Sequence, residues 1–237
     1  AATRVLRENA SIPWSDNVNV FASTTQDEVA FFYKDYTHQL ANLLYRSDIH
    51  GLGTAQQYLE QNGLAGMYRI EPQLPVSTPG RYRAWDKRLE CNRHVLLITG
   101  SGDGGPFVNV AGFGDERHFV SQARYLQQSL QDNFGLQDSQ FTTLREPSRD
   151  DLHAALKDIQ DRLHSDGELI IYFAAHGERI PYGTSQHAQG SHDGILSITE
   201  AHCLDEMEIK ELVRHYCGHL SNVTIIVDAC YGGAFIS

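Results

Sequence analysis

The chain has 237 residues, 41% of them hydrophobic, which suits one large globular domain or one domain with an appendage. Its net charge is −11, and no block of Lys or Arg stands above the acidic background, which argues against a general nucleic-acid binder. No apolar run reaches the ~18 residues of a membrane span, and four cysteines in so long a chain make no disulfide framework, so reduced thiols and a cytoplasmic setting are the simplest expectation.

Residues 1–90 read as a mainly helical segment and a linker. Residues 26–45 carry Val29, Phe32, Tyr33, Tyr36, Leu40, Leu43 and Leu44 at helical spacing, with Ser23, Thr24 and Thr25 available as caps. A second short helix is expected over residues 54–61, closed by Asn62 and Gly63. Residues 71–80 include Pro72, Pro75 and Pro79 and keep no period, so the linker and the domain boundary fall between there and residue 90.

Residues 91–237 read as the main domain. The almost wholly apolar run at residues 94–99 is of the type found in parallel strands covered on both faces. A helix follows over residues 117–133, with Phe119, Val120, Ala123, Leu126 and Leu130 apolar. A short strand at 141–144 leads to a helix at 148–163, with Ser148 as its N-cap and Asp150 and Asp151 in its first turn. Strands at 168–175 and 194–198, a helix at 204–216 and a last strand at 223–227 complete the order. This alternation predicts an α/β fold: a mainly parallel sheet flanked by helices.

Several motifs compete for a chemical role. Gly100 to Gly105 fits the spacing of a dinucleotide fingerprint and follows a strand, but that mechanism needs a helix to open at once. Pro106 comes next instead, and no helix can begin before about Asp115, so a glycine-rich loop is the better reading. His187 and His192 lie in a polar loop. His215, Cys217 and His219 are close together but lack the C-x-x-C partner that zinc sites use, so no metal is expected.

His176 and Cys230 stand apart from these. Each follows an apolar strand, and each is trailed by glycine: Gly177 after the first, Gly232 and Gly233 after the second. Open parallel sheets build their sites at the carboxyl edge of the strands. A lone histidine or cysteine at a strand end is more often structural. Two such ends bring an imidazole to a thiol, and a thiol is a good nucleophile as its thiolate. The glycines leave backbone N–H groups to meet an oxyanion.

The pair AAHG and VDACYGG, on main strands about fifty residues apart, resembles the caspase/legumain group of cysteine peptidases. The resemblance covers residues 91–237 and leaves residues 1–90 unassigned. It implies a caspase-like fold and a dyad in which Cys230 attacks and His176 transfers the proton, with the Gly177 and Cys230 amides binding the oxyanion. It implies no cofactor. The stretch from Asp115 to His118 resembles the Asn-Tyr-Arg-His element of legumains. By position, Arg117 then matches a pocket arginine, and Asp115 the residue that orients the histidine, although the carboxylate departs from that pattern. Asp228 matches an acidic pocket residue of both legumains and metacaspases.

A pocket holding Arg117 and Asp228 together suits Asn or Asp at P1, the favoured expectation. Asp228 alone suits Arg or Lys, as in metacaspases, whose further acidic residue Asp103 could supply. A non-cleaving scaffold module and a transamidase using the same dyad are the other readings. The expected partner is a peptide or protein substrate. A sheet ending on the Cys230 strand would leave an apolar edge, so a small C-terminal fragment, produced by cleavage of a precursor, is also expected to pack there as a second chain.

Overall fold

The computed structural model describes residues 14–22, 76–77, 92–100, 116–179, 194–199, 202–230, Gly232 and Phe235. Within them the chain forms strands β1 (Val18–Ala22), β2 (Val76–Ser77), β3 (Arg93–Thr99), β4 (Phe141–Arg145), β5 (Glu168–Ala174), β6 (His176–Arg179), β7 (Gly194–Thr199), β8 (His202–Asp205) and β9 (Asn222–Asp228). Helix α1 spans Glu116–Phe134, α2 Arg149–Arg162 and α3 Glu206–Cys217. The expected helices at 26–45 and 54–61 and the loops holding Asp103, His187 and His192 lie outside the described residues.

Six strands form one sheet in the order β2-β1-β9-β5-β3-β4. Every neighbouring pair is parallel except β1 with β2. This is the mainly parallel α/β sheet that the alternation of apolar runs and helical periods predicts. β3, β5 and β9 are buried along their whole length, which explains why their sequences do not alternate. Helices α2 and α3 cover one face, where Leu152, Leu156, Ile159, Ile209 and Val213 join Leu96, Ile98, Ile171, Phe173, Ile225 and Val227 in one core. The pleat turns the intervening residues to the other face, where α1 packs on β3 and β5 with Phe119, Ala123, Leu126 and Leu130 buried.

Local chemistry sets the helix ends. Ser148 accepts a bond from the Asp151 amide, and the Asp151 carboxylate accepts one from Ser148 N, a reciprocal cap at the start of α2. Asp205 caps α3 by accepting from the amide of Glu208 at 2.8 Å.

Two strands fall where none was expected. Residues 71–80, read as linker, contain β2, and the segment read as mainly helical contains β1. β1 pairs parallel with β9 from Val18↔Val223 to Ala22↔Val227. The strand that leads to Cys230 therefore lies between β5 and β1 and has no open edge. The physical reason for expecting a second chain on that edge is gone, because the chain's own early strand occupies it. A second, three-stranded sheet, β6-β7-β8, extends beyond β5. β6 and β8 are too short, at four residues each, to announce themselves by period.

Candidate active site

β5 and β9 lie side by side, and their pairing ends at Ala174↔Asp228. His176 and Cys230 each follow two residues later, so the register brings both to the same level at the carboxyl edge. Past Ala175 the chain turns into β6, which begins at His176 and pairs with β7. Past Asp228 it enters a tight turn closed by Gly232 N donating to Ala229 O at 3.2 Å. Cys230 is partly exposed there.

The two turns touch. A Cβ placed on Gly177 would lie 1.7 Å from the carbonyl oxygen of Cys230, 2.7 Å from its carbonyl carbon and 3.1 Å from its nitrogen. Only glycine fits. The His-Gly and Ala-Cys elements are thus packed backbone to backbone, and the main chain on both sides of the thiol and the imidazole is close.

His176 is 5% exposed. Its ring meets Phe119 of α1 edge-on, with centroids 5.2 Å apart and planes at 89°. The contact draws the first turn of α1 toward the site. Arg117 stands in that turn, two residues before Phe119. Asp115 lies outside the described residues.

Asp228 is 3% exposed, and Tyr172 Oη donates to its Oδ2 at 2.9 Å. Tyr172 and Asp228 share the α1 face of the sheet, on neighbouring strands and two residues apart in register. Sequence reasoning passed over Tyr172. The signal was available: Tyr172, Ala174 and His176 fall at every second position, so the tyrosine lies in line with the histidine.

Ser197, buried at 2%, pairs in register with His176 across β6 and β7, and with Cys203 across β7 and β8. Its hydroxyl is 3.8 Å from the Cys203 thiol. No sequence signal identified this row, because β6 and β8 were not expected as strands.

The remaining motifs find simpler explanations. A Cβ on Gly100 would come within 2.5 Å of the Ser197 carbonyl and 2.9 Å of Ala175 Cβ, so close packing against β7 explains the first glycine of the rich stretch. At the end of α3, Cys217 is buried while His215 and His219 are exposed, so the three do not converge. Burial pushes the Cys217 thiol up to about 12, which makes it inert. Among the described residues no group of three or more His, Cys, Asp or Glu side chains is placed to hold a metal ion, and no helix is long and apolar enough to cross a membrane.

A thiol and an imidazole at the carboxyl edge of an open parallel sheet, on turns that touch, define the class: an α/β protein built on the plan of a cysteine peptidase. The sequence model of the caspase domain matches residues 114–236, just over half of the chain, and the chain belongs to that peptidase family. Metacaspase-4 of Arabidopsis thaliana is 22% identical over 127 residues, a match that spans 51% of this chain and 30% of that protein.

Proposed function

We propose that the protein is a cysteine endopeptidase in which Cys230 and His176 form the dyad. The observation that carries this reading is the close backbone contact between Gly177 and Cys230, reached from two strands in parallel register. Family membership supports it. The Cys230 thiolate attacks the scissile carbonyl carbon, and the tetrahedral oxyanion accepts bonds from the N–H groups of Gly177 and Cys230. His176 gives its proton to the leaving amine, and the C–N bond breaks to leave a thioester. Water then attacks with His176 as base, which releases the acid and restores the thiol.

For the P1 side chain, Asp228 is the acidic pocket residue. Together with Arg117 it would accept and donate at once, which suits Asn or Asp. Without Arg117, its carboxylate would offer acceptors to a cation, which suits Arg or Lys. The caspase-domain match is compatible with either reading. A peptide library varied at P1 decides between them. Cys230→Ala and His176→Ala are each expected to abolish cleavage with the fold intact; Cys230→Ala cleaving at the wild-type rate would overturn the dyad, and a wild type that cleaves no peptide would leave a scaffold module as the reading. With an added amine acceptor, a conjugated product instead of the free acid would assign the chain to acyl transfer.

A further inference from the structure

Cys230 is held from two directions. Upstream, the register of β9 with β5 and β1 fixes the chain as far as Asp228. Downstream, one hold among the described residues is Phe235. Its side chain is 1% exposed and belongs to the main core. Its carbonyl oxygen accepts a hydrogen bond at 3.1 Å from Nε1 of Trp14, a residue 221 positions earlier.

Trp14 is itself well seated. The Lys210 ammonium lies 5.2 Å from its ring centroid, a cation over an aromatic face. Lys210 is 3% exposed and pairs with Glu206 at 2.5 Å, one turn away on α3. From Trp14 the chain runs into β1 through Asn17, whose Nδ2 donates to Leu220 O at 2.9 Å and whose carbonyl accepts from Val223 N at 2.8 Å. The early segment therefore grips both ends of the nucleophile strand: β9 through β1, and the turn beyond it through Trp14.

We infer that Trp14 is a positioning residue for Cys230, acting through the Phe235 carbonyl. This role rests on the reading of Cys230 as the nucleophile. Only a few residues separate Cys230 from Phe235, so a shift at the second is felt at the first. Misplacement of a reacting group by about 1 Å can cost on the order of a hundredfold in rate.

The test uses Trp14→Phe in the full chain. The phenyl ring stays under Lys210, and the indole N–H donor is lost. The readout is alkylation of each cysteine by iodoacetamide across pH, followed by peptide mapping, with kcat and KM measured alongside. The loss of one neutral hydrogen bond sets the expected scale. Cys230 alkylation at neutral pH and kcat should each fall about fivefold. KM should hold within about twofold, the exposed Cys203 should keep its rate, and Cys217 should stay protected.

Unchanged Cys230 reactivity in Trp14→Phe would overturn the role. So would a loss accompanied by reaction at Cys217, which marks general loosening. Alkylation does not require turnover, so the two readings separate. If wild type cleaves nothing while Cys230 reactivity still depends on Trp14, the peptidase reading fails and the positioning role stands. If wild type cleaves and Trp14→Phe is indifferent, the positioning role fails alone.

Discussion

Gly177 is where the sequence leaves least freedom. Alanine there would put a methyl group 1.7 Å from the Cys230 carbonyl oxygen, well inside contact distance. One of the two turns must then move, and overpacking of this kind costs about 1–3 kcal/mol. Gly177→Ala is expected to lower stability by that amount in urea unfolding and to reduce peptide cleavage at least a hundredfold, on the order set for a displaced reacting group. A variant that cleaves like wild type would show that the contact does not bear on chemistry. The placement of His176 and Cys230 at one sheet edge was legible in the sequence because each follows an apolar strand and is trailed by glycine. Tyr172 and Trp14 were not, since their partners, Asp228 and Phe235, lie 56 and 221 positions away. Only folding brings such pairs together.

Elements with strong local signals were readable, and those made by long-range pairing were not. Helix α2 has a cap at Ser148, acidic residues in its first turn and a regular apolar stripe, so both its existence and its start could be read. β1 is five residues long and becomes a strand because β9 lies beside it. β3 supplies a prediction of its own. His94 is buried on it and shares a 2.8 Å hydrogen bond with Thr142 Oγ1 of β4. Burial, and then the Arg162 guanidinium, push its imidazole down to about 4. The unfolded chain takes up this proton near pH 6.5, and the folded chain resists it until about pH 4. Stability is therefore full above about pH 6.5 and declines as pH falls toward 4, by about 3 kcal/mol at most. Replacing His94 with Gln should flatten that part of the stability–pH curve in chemical unfolding, and an unchanged slope would rule His94 out as its source.

At the scale of the whole molecule, the sheet is completed by residues far apart in the chain. Val20 is fully buried in β1 and registers with Ile225 of β9. An aspartate at that position would carry an unpaired charge into the core, which costs several kcal/mol. Val20→Asp should therefore lower the unfolding midpoint sharply. With β1 undocked, β9 becomes an open apolar edge, so the variant should also elute as aggregates in gel filtration. A monodisperse variant of wild-type stability would mean that β1 contributes little to the sheet. The overall α/β class was legible from the alternation of apolar strands and helices in residues 91–237. The membership of β1 was not, because nothing within 14–22 points to a partner some two hundred positions away.

The hydrogen bond from Asn19 to Asn222 joins residues 203 positions apart. Chains are synthesised at about 5–20 residues per second, so β1 emerges on the order of 10–40 s before the strand it will pair with. During that interval the apolar run from Val18 to Ala22 has no β9 to pair with. Pairing at such separation also slows folding, because the loop must close before any contact rewards it. β1 is thus made well before it can be placed. The sheet beside Cys230 is completed only after β9 has been synthesised, so the edge that carries Cys230 cannot be assembled while β1 stands alone.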